Sequence, residues 1–179
     1  MKNKLFLLIF TISCFFTVMG QTLSNQCDLR VGIGASNLGT GDLPTMNYEN
    51  EFNYKLNQYF TSAASINLGR SSFERSQTAS FTQLNANIFL SPFKNNRRFD
   101  FRLGTGITFY NISNAYNAAV YANNQDYSIE KYNAFGFNMI IENTFSLKER
   151  LLMGFKLFAQ PYTNGDINTG LMLKTGLRI

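Results

Sequence analysis

From Asn133 to Ile179 apolar side chains fall on every second position, and this alternation constrains the fold more than any other feature of the chain. The odd positions run Phe135, Phe137, Met139, Ile141 and Phe145, then Met153, Phe155 and Leu157, then Leu171, Leu173, Leu177 and Ile179. The even positions include Gly136, Asn138, Glu142, Gly154, Lys156, Gln160, Asn168, Gly170, Lys174, Gly176 and Arg178. Strand side chains alternate between faces, so the pattern describes three antiparallel strands with one greasy face and one polar, glycine-rich face. A sheet that is polar towards its own interior and apolar outwards is built for lipid.

The same grammar runs upstream. Asp28 to Leu38, Tyr48 to Leu56, Thr61 to Arg70 and Ala79 to Ser91 read as strands, and a fifth starts at Phe99. Gly39 to Pro44 breaks the chain after the first. Connections after strands one, three, five and seven are longer or loop-like, those after two and six are tight, and Pro92 to Arg98 is intermediate. Eight strands return the carboxyl end to the side of the amino end, and a barrel with both ends in the periplasm carries its longer loops outside. The expected fold is all-β, an eight-stranded antiparallel up-and-down transmembrane β-barrel.

The placement of charge decides between lipid and water. Arg30, Glu49, Glu51, Lys55, Asp100, Arg102, Glu142, Lys156, Lys174 and Arg178 all occupy the face opposite the aliphatic one, and Arg70 alone falls on the apolar face, at a strand end. A charge facing lipid near mid-membrane costs roughly 2–4 kcal/mol. A soluble lipocalin-like barrel needs the reverse arrangement, and here it would expose far more contiguous Phe and Leu than soluble monomers tolerate. A two-sheet sandwich meets the same objection. Glycines on the inner face, among them Gly32, Gly104, Gly154 and Gly176, make room in an interior that side chains fill.

The amino end reads as a secretory signal. Met1 to Lys4 is basic, Leu5 to Met19 is apolar without a charge, and small Gly20 precedes Gln21. The expected organisation is a cleaved signal peptide at 1–20, a polar leader at 21–27 and a barrel at 28–179. A lipoprotein signal at Cys14 is the lesser alternative, because Thr11-Ile12-Ser13 lacks the usual Leu. Cleavage removes Lys2 and Lys4 from sixteen Lys and Arg, leaving fourteen against eleven Asp and Glu with no basic block, so no nucleic-acid footprint is present. One cysteine, Cys27, would remain, which rules out an internal disulfide.

Without histidine the chain lacks the commonest general base and the commonest metal ligand. Neither a Gly-rich phosphate loop nor a cysteine cluster appears, so no catalytic residue, metal ligand or cofactor is expected. The chain is not read as an enzyme.

Glu142-Asn143-Thr144-Phe145, Arg150-Leu151-Leu152-Met153-Gly154, Gln160 to Asp166 and Thr175-Gly176-Leu177-Arg178-Ile179, together with Leu90-Ser91-Pro92-Phe93, give the chain a family likeness. It resembles the small outer membrane β-barrel proteins common in Bacteroidota, of the OmpA/OmpW-like kind. The resemblance implies residence in the outer membrane of a Gram-negative bacterium, with outer membrane lipid as surroundings. It also implies insertion by the barrel assembly machinery, which reads the last strand. The chain ends in Ile179 where an aromatic residue is usual.

Two groups of residues stand out as candidate sites. If strands six and seven pair about Glu149, Glu142 lies opposite Lys156 and Phe145 opposite Met153. Arg102 and Lys174 also face inward at comparable heights. Arg102, Glu142, Lys156 and Lys174 thus form a lumen charge cluster, read either as a gate or solute site or as a structural plug. The cost of an unpaired buried charge favours the plug. The connection from Ile112 to Tyr132 holds Tyr116, Tyr121 and Tyr127, a surface that either meets an extracellular partner or packs on itself. The expected role is structural or surface-interacting, with a lumen filled by polar side chains. The alternatives are a narrow channel or binding site for small or hydrophobic solutes and, further off, a secreted soluble barrel.

Overall fold

The structure, a computed structural model, describes residues 26–39, 43–71, 77–93, 98–117, 127–148 and 150–179. The expected signal peptide at 1–20 and Tyr121 lie outside the described residues. Eight strands follow in order: β1 (Cys27–Leu38), β2 (Leu43–Lys55), β3 (Phe60–Arg70), β4 (Gln77–Leu90), β5 (Phe99–Asn117), β6 (Tyr127–Ser146), β7 (Leu151–Pro161) and β8 (Ile167–Arg178). Each pairs antiparallel with its neighbours in the chain, and β8 pairs with β1 to close a barrel. Closure leaves the sheet no free long edge within the ring, and Ile179 N–H donates to the Cys27 carbonyl at 2.9 Å where the two ends meet. We call that rim the terminal end and the opposite rim the distal end.

The polarity read from the alternation holds. In β8, Leu173 is 70% exposed on the outer surface and Lys174, its neighbour, is 4% exposed within the lumen. Arg30, Glu49, Glu51, Asp100, Arg102, Glu142, Lys156 and Lys174 are all buried, Lys55 and Arg178 half-buried, and Arg70 exposed. This removes the lipocalin-like arrangement, whose aliphatics would fill the centre.

Aromatic pairs mark two levels on the outside. Phe99 and Phe145 are cross-strand partners with rings 5.4 Å apart, and Phe109 and Phe135 are partners on the same two strands with rings 5.3 Å apart. Ten residues at ~3.4 Å each, on strands tilted ~45°, separate the two levels by about 24 Å, the height of a lipid-facing apolar band between aromatic girdles. Beyond Phe109 and Phe135 the outward residues turn polar: Asn111 and Asn133 bond each other at 2.6 Å in the open.

Two expectations about strand ends are corrected. Strand β2 starts at Leu43, not Tyr48, because Pro44 sits opposite Asn37 with its side chain exposed and the pairing with β1 runs through it. The segment 112–132 is not one long loop: β5 continues to Asn117 and β6 begins at Tyr127, so Tyr116 and Tyr127 are ladder residues, paired with Ser128 and Asn117 respectively. A hairpin that projects past the girdle has no lipid to face, so its sequence need not alternate while its ladder of backbone bonds persists. Lengthening these strands also weakens the alternation of loop lengths, since residues 91–98 now form a longer connection than residues 39–42. Strand β1 opens at Cys27, buried and free.

The short connections have local causes. The Asn57 side-chain oxygen accepts from Tyr59 N–H and Phe60 N–H, both at 2.8 Å, which folds the β2–β3 turn. In the β7–β8 turn Gly165 takes a φ of 90°, a left-handed conformation that favours glycine, and donates to the Tyr162 carbonyl at 3.1 Å.

Candidate functional site

Inward residues from six strands meet in the terminal half of the lumen. Four are cationic (Arg30 of β1, Arg102 of β5, Lys156 of β7, Lys174 of β8) and four anionic (Asp28 of β1, Glu49 and Glu51 of β2, Glu142 of β6), so their formal charges cancel. The pairing registers assemble them: Arg30 is the Cα partner of Glu51, Arg102 of Glu142, and Glu142 of Lys156. Lys174 is flanked by glycines on both sides, Gly32 on β1 and Gly154 on β7. A methyl group on Gly32 would stand 3.3 Å from the Lys174 Cγ, and one on Gly176 would stand 2.8 Å from the Arg30 Cγ. Small residues there leave the volume that the long cations occupy.

Glu142 is the hub. Its Oε1 accepts from Arg102 Nη2 at 2.7 Å and from Arg30 Nη1 in a very short contact, and its Oε2 accepts from Lys174 Nζ at 3.2 Å. Arg102 spreads its guanidinium between Glu142, Glu51 Oε1 at 3.0 Å and Asn53 Oδ1 at 2.8 Å, with its carbon 3.9 Å from the centre of the Phe89 ring. Lys174 lies 2.7 Å from Glu51 Oε1, Lys156 lies 2.6 Å from Glu49 Oε1, and Arg30 Nε donates to Asp28 Oδ1 at 2.7 Å. Glu49 Oε2 and Glu51 Oε2 make no hydrogen bond, yet they face Lys174 at 3.4 Å and Lys156 at 3.6 Å. Strands β3 and β4 add no charge to the network. They supply the Ser65 hydroxyl, 2.9 Å from Glu49 Oε1, and the Phe89 ring.

Such a network is costly to break rather than cheap to make. Desolvating eight ionic groups consumes most of their mutual attraction, whereas removing one partner strands the others and costs about 3–5 kcal/mol. The arrangement holds charges against one another and offers none to a solute. Among the described residues, no group of three or more Cys, Asp or Glu side chains is set to hold a metal ion.

One step distally along β6, β7 and β8, the lumen turns apolar. Ile140 follows Glu142, Phe158 follows Lys156 and Met172 follows Lys174, and with Ala63 and Phe89 they form one buried cluster. Above them lies an amide layer. Gln160 Nε2 donates to Asn138 Oδ1 at 2.9 Å, Asn138 Nδ2 to Asn87 Oδ1 at 2.6 Å, and Asn67 Nδ2 to Gln83 Oε1 at 3.0 Å, with Gln83 also in a very short contact to the Tyr162 hydroxyl. Tyr162 then stacks on Tyr110 with ring centres 4.4 Å apart, within a second buried cluster of Leu38, Leu43, Ala79, Phe81, Ile112 and Ala134. The lumen is therefore layered, not uniformly polar.

All four cluster residues named from the sequence, Arg102, Glu142, Lys156 and Lys174, meet in this one network. The network also takes in Arg30, Glu49 and Glu51, which carry the inward parity, and Asp28, which the alternation does not single out. Their signal was the closure of β1 on β8, which brings Gly32 opposite Lys174. Tyr116 and Tyr127 lie on paired strands, and Tyr132 is half-buried with its hydroxyl donating to Asp166 Oδ2 at 3.2 Å.

The chain thus folds as a closed eight-stranded antiparallel β-barrel, matching outer membrane barrels of known structure. Ail, the attachment invasion locus protein of Yersinia pestis, superposes with a TM-score of 0.63 at 12% identity, over 87% of this chain and 99% of Ail. A major outer membrane protein from Thermus thermophilus gives 0.63 at 10% identity, over 86% and 99%. Neisserial surface protein A gives 0.61 at 8% identity, over 86% and 97%. At these identities the likeness is one of fold. No protein-family model and no curated protein sequence matches the chain.

Proposed function

We propose that this chain is an outer membrane β-barrel with a structural or surface-interaction role, whose lumen is a plug and not a conduit. The observation that carries the reading is the burial of the whole charge network: Arg102 and Glu142 are 0% exposed, Lys156 3% and Lys174 4%. The apolar and amide layers above the buried charges support a closed lumen. On the outside, the about 24 Å band between the two aromatic levels supports a membrane-spanning position.

The amino-terminal residues 1–20 direct export in this reading and are removed after Gly20. The terminal rim then faces the periplasm, where the assembly machinery reads β8. The distal rim faces outward, since β5 and β6, 19 and 20 residues long, exceed the 9–11 residues that a spanning strand needs and project beyond it. That projecting hairpin is the surface offered to an extracellular partner. Two of the fold neighbours bear surface-protein names, an attachment invasion locus protein and Neisserial surface protein A. The likeness to Bacteroidota barrels rests on the sequence phrases quoted above.

Single-channel recording on refolded protein in planar bilayers tests the plug. The wild type is expected to insert without discrete conductance, and Glu142→Ala, which takes the shared carboxylate from three cations, to give intermittent openings. Stable conductance from the wild type would replace this reading with that of a narrow channel.

A further inference from the structure

On the outer surface β2 presents Met46, Tyr48, Asn50, Phe52 and Tyr54 in succession. Asn50 is the middle one, four residues from Tyr54, whose hydroxyl reaches Gln26 at the terminal rim, and four from Met46, which pairs with Arg70 at the distal rim. It is exposed, and its Oδ1 accepts from the Tyr48 hydroxyl at 3.1 Å. Its Nδ2 has no partner among the described residues. The other outward-facing strand amides among the described residues lie near a rim: Asn37, Asn111 and Asn133 distally, and Asn143 beside Phe101 at the terminal girdle.

Asn50 lies in a groove of about 520 Å³ whose outer walls include Leu29, Val31, Phe52, Ala64 and Ile66. Small Ala64, exposed on β3 and paired with Ala86 on β4, keeps the groove open to close approach. In hydrocarbon an amide N–H needs an acceptor, and acyl chains provide none. Ester carbonyls of lipids sit at the interface, about 10 Å away for four residues of tilted strand. An occupant at this depth must bring its own acceptor.

We propose that the groove is the contact surface for a second copy of this chain, with Asn50 of each copy donating Nδ2–H to the Asn50 Oδ1 of the other across a two-fold axis along the membrane normal. The amide is self-complementary, and each Oδ1 has a lone pair left after accepting from Tyr48. A two-fold axis along the normal places equal heights opposite one another, so a mid-height residue meets its own copy. Close approach over small side chains with one polar contact is the recurrent means of association in lipid, where apolar surface alone gives no preference for protein over acyl chain. The proposal rests on the membrane-spanning reading above.

The test uses the full processed chain refolded into phosphatidylcholine vesicles, with donor and acceptor dyes on separate batches and energy transfer followed as the lipid-to-protein ratio rises. The wild type is expected to transfer above the level of random proximity and to lose that excess on dilution. Asn50→Leu should weaken self-association by roughly tenfold. Asn50→Gln should retain part of it, and Thr105→Leu, on the outer face of β5, should leave it unchanged. Wild-type transfer at the random level at every dilution, or Asn50→Leu associating as the wild type does, would overturn the proposal while the barrel still floats with the vesicles. A chain that does not float with them would instead overturn the membrane reading, and this inference with it.

Discussion

The two halves of the lumen solve the same packing problem with different chemistry. The terminal half is ionic: eight charges from six strands hold one another, with Glu142 touching three cations. The distal half is neutral: amides of Asn67, Gln83, Asn138 and Gln160 bond one another beneath the Tyr110–Tyr162 stack. Both halves fill the lumen with side chains. They differ in what the loss of one member leaves behind, which is bare charge below and an unmet dipole above. The ionic half should therefore be brittle and the neutral half tolerant.

Glu142→Ala should have the largest effect, about 3–5 kcal/mol of lost stability in urea titration of the refolded barrel, because Arg30, Arg102 and Lys174 lose their common partner. Removing opposite charges together should cost far less than the sum of the single losses: Arg102→Met with Glu142→Leu is expected to recover about 1–3 kcal/mol of that sum in a double-mutant cycle. Additive losses would mean that the ionic half is not one network. Across the barrel wall, Leu173→Lys should cost about 2–4 kcal/mol where Lys174 one residue on is native, a comparison that isolates the face from the residue type. In the neutral half, Gln160→Leu should cost about 1–3 kcal/mol, since it takes the donor from Asn138 Oδ1 and the acceptor from Asn168 Nδ2. Tyr110→Phe should change stability by less than about 0.5 kcal/mol, because the Tyr110 hydroxyl is buried without a hydrogen bond and only the ring stacks on Tyr162. A large loss there would show that the distal half depends on polar contacts that its geometry does not contain.

Much of this was legible in the linear chain. The alternation marked the strands and their faces, and pairing about Glu149 placed Glu142 opposite Lys156 and Phe145 opposite Met153, as found. What escaped was of three kinds. Where both parities are apolar, as at Ile140-Ile141, Leu152-Met153, Leu157-Phe158 and Met172-Leu173, the pattern reads as merely greasy, which hides the inward member of each pair and predicts a lumen polar throughout. Closure was legible but its register was not: Arg30 and Lys174 lie at opposite ends of the sequence, and only the β1–β8 register brings both to Glu142. The distal ends of β5 and β6 are rich in polar residues, so periodicity stops where the ladder does not.

The central claim is that one face of this sheet meets acyl chains while its charges are shut inside. It is tested most directly by single cysteines introduced on the outer face at Leu173, Phe155 and Ile107 in a Cys27→Ser background, labelled with an environment-sensitive dye and reconstituted in vesicles of lipids brominated along their chains. The account predicts strong quenching at all three positions by the brominated lipids and little by a water-soluble quencher. Labels at Leu173, Phe155 and Ile107 that ignore brominated chains and respond to the aqueous quencher would contradict it.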